Sequence, residues 1–474
     1  MASNQTARAL AAFVCGTAFD DLPAEVVEKT KYVVLDQLGC QLASSTLPWN
    51  ELVYDHVRSV GAVGRSTVVT HGLTTHPEGA ALVNATFGHG FEIDDFHLGC
   101  FAHPGCVAVP AALAMAEHHD LDGRGLIVAT ALGAEVLLRV GRSSGHSAVT
   151  ERGFHETSMQ GPFGAAAAAS KVLTLDTDRT VNALSIAGSH ASGTLEYGQS
   201  GGDVKRLHAG IAAAGGIRSA LLAERGLTGP ATIFEGRRGI FQAFANTFDT
   251  AEAVAGLGEH YYLSGVGFKA YCCMGLIHSQ IDAVSRILDE QPIGANDIDE
   301  IVVGTSRLGL SHGGTIGPRP TDITAAQFSS HFSIGLTVAV GANDFAAYRD
   351  AEEADFDDPL VQHVASRVKV VIDDECERTF PAHNSATATI RTTDGRTFSA
   401  TVPEATGFPD NPLTPERIEE KFVRLAAGIL PDGRVGELKD MILSLETLDD
   451  LDRLTSLLVA PPVGTQRGIP WTKH

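Results

Sequence analysis

The hydrophobic spacing of this chain changes character twice, and that restricts its architecture more than any other feature. Through the first half, apolar residues recur at helical intervals. In PAEVVEKTKYVVLDQLGCQLAS, Val26, Val27, Val33, Val34 and Leu38 fall on one stripe, and Pro23 stands where a helix can begin. GRGLIVATALGAEVLLRVG is apolar nearly all round and predicts a buried helix, while FGAAAAASKVL favours helix and permits close helix–helix approach. Near residue 266 the pattern turns strand-like. IDEIVVGTSRL and SRVKVVIDDE carry short Val/Ile runs, and SATATIRTTDGRTFSATV alternates on both sides of Asp394-Gly395, a dipeptide able to supply the positive φ angles of a tight hairpin turn. After Pro403 helical spacing returns in TPERIEEKFVRLAAGIL, with Thr414 placed as a cap. At 474 residues the chain is long for one core. The pattern predicts a mainly α protein with an inserted α+β domain. Residues 1–265 and 405–474 form a large helical domain, and residues 266–404 form the smaller one.

Composition narrows the function. A formal charge of −22 argues against nucleic acid and anionic membranes as partners. An anionic substrate must therefore be drawn in by a local basic pocket. No uninterrupted apolar run is long enough to span a bilayer, and MASNQTARALAAF does not read as a signal peptide, so a cytoplasmic protein is expected. The seven cysteines are odd in number and scattered, which fits a reducing compartment. Cys100 and Cys106 flank His103, and Cys272-Cys273 lie beside Lys269, but the spacing matches no standard zinc pattern, so no metal is expected. Neither a G-x-x-x-x-G-K-[ST] loop nor a strand-linked G-x-G-x-x-G fingerprint is present.

The segment HGFEIDDFHLGCFAHPG, from His89 to Gly105, packs His89, Glu92, Asp94, Asp95, His97 and His103 between Ala-rich flanks. Three acids and three imidazoles are costly to place together unless they are solvated, paired or used in chemistry. Further basic groups are His155 in GFHE, Lys205 and His208 in DVKRLH, and Lys269 in GFKAYCC. Such a set suits a small polycarboxylate: lysines act as point charges, and a neutral histidine exchanges protons near pH 7.

These segments carry a family resemblance. The His89–Gly105 stretch resembles the D-F-D-D-T-H and His-Pro signature of the MmgE/PrpD family. The segments RGFHETSMQGPFGAAAAA, DVKRLHAGIAAAGGIRSALLAERGLTGPATIFEGRRG, GFKAYCCMGLIHSQIDA and PLTPERIEEKF agree in the same order, so the resemblance covers nearly the whole chain. It implies a helical domain that forms a homodimer, a smaller lid domain, and chemistry that needs no cofactor. The family's reactions are dehydration, as in 2-methylcitrate dehydratase, epimerisation, as in iminodisuccinate epimerase, and cis-aconitate decarboxylation. Each moves a proton, or loses carbon dioxide, at a carbon beside a carboxylate. By resemblance His103 and His155 are the proton-transfer groups, and Lys205 and Lys269 clamp carboxylates and stabilise developing charge. Glu92, Asp94, Asp95, His208 and His331 are placed as substrate-binding residues.

The chain also departs from the family pattern. Glu92 replaces an Asp and Phe96 a Thr. Ile211 stands where many members have Arg, Phe332 where decarboxylase-like members have Tyr, and Met274 where the decarboxylase has a further His. These losses of polar contacts argue against cis-aconitate decarboxylation but do not select between dehydration and epimerisation; dehydration, the commoner reaction type in the family the chain resembles, is expected, with epimerisation as the alternative.

Overall fold

The computed structural model describes residues 5–145 and 152–461, so the outermost parts of the two helical segments lie outside it. The helices follow the predicted stripes. Ala24–Ser44 begins after Pro23 and buries Val26, Val33, Val34 and Leu38. Gly123–Ser144 is buried along nearly its whole length and is capped by Asp122, whose carboxylate accepts the Gly125 N–H. Val204–Glu224 packs against Glu156–Val172, Pro77–Gly88 and Gly105–His118, and Glu156–Val172 packs against Gly105–His118 and Gly123–Ser144. Alanine and glycine at the contacts allow this: a Cβ on Gly216 would lie 2.4 Å from the Ala165 methyl. The Thr177–Ala187 helix ends at Gly188.

One four-stranded sheet dominates the strand-rich segment, in the order Val368–Ile372, Ile298–Thr305, Ala386–Thr392, Thr397–Val402. The first pair is parallel and the others antiparallel. The Gly275–Glu290 helix packs on the last two strands. The hairpin forms where Asp394-Gly395 predicts it, but only Gly395 takes a positive φ, +86°. Asp394 works through its carboxylate instead, accepting from Thr392 Oγ1 at 2.5 Å and from the Arg396 guanidinium at 2.8 Å.

Two hydrophobic cores result. The first takes residues from Ala7 to Phe268 and again from Leu413 to Leu458; the second runs mainly from Cys272 to Val402 and draws in Phe91 and Ile93. A third, small cluster of Phe96, Leu98, Leu276, Ala405 and Phe408 sits where the two meet. The same junction is tied by a two-stranded ladder of Asp95–Phe96 with Gly267–Phe268. No helix among the described residues is long and apolar enough to cross a membrane, and the seven cysteines are free thiols.

Candidate active site

A cavity of about 130 Å3 opens at this junction, and the acidic segment forms one side of it. Glu92 is the hub. Its carboxylate contacts Lys205 Nζ and accepts from Lys269 Nζ at 2.9 Å. All three side chains are buried and line the cavity. The Glu92 backbone is left-handed, φ +56°, a conformation a non-glycine residue holds only when its surroundings fix it. Here the two ammoniums do so. Burial, Lys269 and Arg206 pull the Lys205 ammonium well below its ordinary range, and the Glu92 carboxylate is the anion in contact with it. Lys205 also lies 5.1 Å from the centre of the Phe328 ring.

Asp94 is the second hub. It lies 3.7 Å from Lys269, accepts from His89 Nδ1 at 2.7 Å, and is 3.2 Å from His103 Nδ1. Burial alone would raise its carboxyl, but His103, His89 and Lys269 hold it well below the usual range. His103 Nδ1–H also donates to the Asp95 carbonyl at 2.7 Å, which leaves Nε2 available on the cavity side. Asp95 points away from the cavity. Its carboxylate accepts the Gly105 N–H at 2.8 Å and the Gln37 amide at 2.9 Å, and burial beside Asp94 and Asp36 pushes it up to about 7. Residue 105 must be glycine for this: a Cβ there would lie 2.4 Å from Asp95 Oδ1.

His155 caps the Glu156–Val172 helix, lines the cavity and shares a 2.9 Å Nδ1–Nδ1 hydrogen bond with His208. Its ring stacks on that of His89 at 5.6 Å. Burial, with His89 and His208 nearby, pushes His155 well below its ordinary pKa. Burial also takes His89 to about 3 and, together with Lys205, takes His208 to about 4. All three imidazoles are therefore neutral near pH 7.

The expected catalytic set His103, His155, Lys205 and Lys269 thus comes together with Glu92 in one cavity. Asp94, Asp95 and His208 stand one layer behind and hold those groups in place. His331 does not join them. Its ring Nδ1 donates to the Ile316 carbonyl at 3.0 Å, and it is absent from the cavity lining. Phe332 is buried in the second core and Ile211 lies on an exposed helix face, so neither removes a contact from the cavity. Phe96 and Met274 do line it.

Several residues were missed by sequence reasoning. Lys421, within PLTPERIEEKF, donates to the Ile93 carbonyl at 2.5 Å and pairs with Asp36 at 2.6 Å, so the late helix Pro415–Ala426 fastens the acidic segment. Arg206, next to Lys205, donates to the Gly90 carbonyl at 3.0 Å and to Thr324 Oγ1 at 2.9 Å, linking the two cores. Glu156, Tyr197 and His312 also line the cavity, as does His97 of the acidic segment named above. Glu156 follows His155 directly, so its place beside the site was signalled; its burial was not. His89, Asp94 and Cys106 bring ligand-type atoms within 4.8 Å of one another. Burial beside Asp94 and Asp95 pushes the Cys106 thiol well up, and it donates to the His103 carbonyl at 3.1 Å, the role of a protonated thiol.

Comparison with known proteins agrees with this geometry. Residues 8–253 match the MmgE/PrpD N-terminal domain and residues 271–447 the MmgE/PrpD C-terminal domain. A cis-aconitate decarboxylase of Aspergillus terreus is 29% identical, covering 94% of each chain. The cis-aconitate decarboxylase-like protein oryM of Aspergillus oryzae is 29% identical over 92% of this chain and 94% of its own. The human cis-aconitate decarboxylase is 26% identical over 94% of this chain and 93% of its own. With both domains matched in order and the expected basic residues gathered round one cavity, the chain belongs to the MmgE/PrpD family.

Proposed function

We propose that this protein is a lyase that removes carbon dioxide from a small polycarboxylic acid without a cofactor. The observation that carries the reading is the buried Glu92-bridged lysine pair beside the Asp94-supported His103. One substrate carboxylate binds at Lys205 and Lys269. When a second carboxylate leaves as carbon dioxide, its bonding electron pair passes into an enediolate on the clamped carboxylate, where the two ammoniums stabilise it. His103, its Nδ1 held by Asp94 and the Asp95 carbonyl, then delivers a proton to the carbon and regains it from water. His155, held neutral, serves as a hydrogen-bond donor rather than a base. The relatives named cis-aconitate decarboxylases favour this reaction over the dehydration expected from sequence.

A lyase of this design works as a homodimer, with residues 266–404 as a lid over the helical domain formed by 1–265 and 405–474. Activity is expected to survive exhaustive chelation, and elemental analysis to find no stoichiometric metal. The reading is tested by incubating the protein in heavy water with cis-aconitate, 2-methylcitrate, citrate, iminodisuccinate and C5 dicarboxylates, following products by NMR. Carbon dioxide release with one deuteron placed in the product is expected. Water loss without carbon dioxide would make it a hydro-lyase, and no turnover of any of them would remove the reading.

A further inference from the structure

The cavity holds one acid that the chemistry above does not use. Glu156 is the first residue of the Glu156–Val172 helix; it lines the cavity beside Tyr197 and is only 2% exposed. Its Oε1 is fully buried and has no hydrogen-bond partner among the described residues. A buried polar atom without a partner costs stability unless something else satisfies it. In a cavity wall, a ligand can supply that partner. We propose that Glu156, with Tyr197, is a specificity residue that binds an uncharged hydrogen-bonding group of the substrate, a hydroxyl or carbonyl. The substrate is then a dicarboxylate bearing such a group and not a tricarboxylate. This rests on the polycarboxylate reading above and narrows it.

Two observations support the choice. Burial pushes the Glu156 carboxyl well above the usual range, with only its own backbone N–H opposing, which favours the protonated form that can both donate and accept. Tyr197 beside it is likewise pushed up by burial. The cations of the cavity are also partly paired before any substrate arrives: Lys205 and Lys269 face Glu92 and Asp94, and His89, His155 and His208 are neutral. A third carboxylate at the Glu156 end would be desolvated without a cation.

Calorimetric titration tests this with citramalate (two carboxylates and a hydroxyl), citraconate (the same skeleton without the hydroxyl) and cis-aconitate (three carboxylates). The wild-type protein is expected to bind citramalate about tenfold or more tighter than either of the others, the scale of one buried hydrogen bond. Glu156→Leu should abolish the citramalate advantage. Glu156→Gln, which stays neutral and keeps a donor, should retain most of it, and Glu156→Lys should turn the preference toward cis-aconitate. Infrared spectra should show a protonated carboxyl band at neutral pH that Glu156→Gln lacks, a readout that needs no ligand. Equal or tighter wild-type binding of cis-aconitate, or a tenfold gain in cis-aconitate affinity in Glu156→Gln, would overturn the inference while leaving the lyase reading intact. Failure of all three acids to bind the wild-type protein would remove both.

Discussion

The polar wall of the cavity comes mostly from the helical segments before residue 210, joined by Lys269 and His312, whereas the later segment supplies Met274, Leu276, Leu308 and Phe408 to the apolar lining. In the polar wall each reactive group is held by at least one buried partner: Lys205 and Lys269 by Glu92, His103 by Asp94 and Asp95, His155 by His208. In the apolar wall the side chains pack as a small cluster around Phe96 and Phe408, whose rings lie 4.2 Å apart. The difference divides the labour. The first wall fixes charge and proton positions; the second excludes water, which strengthens every charge interaction in the first.

If the division is right, changes in the polar wall act on turnover and changes in the apolar wall act on binding. The largest effect is expected at His103. His103→Gln should lower kcat by about 10²- to 10⁴-fold with a much smaller change in KM, the range for loss of a positioned proton donor. Steady-state kinetics decide it, and a pure KM effect would break the comparison. Next come the clamps. Lys205→Met and Lys269→Met should each cut kcat/KM by roughly 30- to 1,000-fold, because a charge-assisted contact at a desolvated site contributes about 2–4 kcal/mol. Leu308→Ala, in the apolar wall, should raise KM by only about tenfold or less and leave kcat nearly unchanged.

The smallest effect is a pH slope in stability. His208 is depressed to about 4 by burial and by Lys205, so the unfolded chain binds a proton there that the folded chain does not between about pH 6.5 and pH 4. Stability is lost as pH falls through that window. His208→Gln should make the slope shallower by up to about 1.4 kcal/mol per pH unit, as read from urea melts at several pH values. An unchanged slope would show that His208 is not held neutral by the fold.

The two walls were not equally legible in the sequence. Helical spacing, the hairpin and the five ionised or imidazole groups of the polar wall could be read directly, since each rests on local periodicity or on clustering of costly residues. The apolar wall could not. It is assembled from Phe96, Leu276 and Phe408, which are far apart in the chain, and from a ladder of only two residues per strand that has no periodicity to detect. His331 was misplaced because its neighbour Phe332 turns inward on the Ser330–Val340 helix and carries it to the opposite side, toward the Ile316 carbonyl. Asp94 and Asp95 sat in the right segment, but sequence does not show depth, and both stand behind the histidine they support. The lost polar positions argue against decarboxylation in the sequence, yet of those residues only Phe96 and Met274 reach the cavity.

The central claim is that the Glu92-bridged lysines receive a substrate carboxylate. Titration of citraconate into the wild-type protein and into Lys205→Met tests it without any assumption about the reaction. Binding to the wild-type protein that weakens at least about 30-fold in Lys205→Met, with both proteins folded, is the predicted result. Equal affinity for the two would place the carboxylate elsewhere and contradict the account.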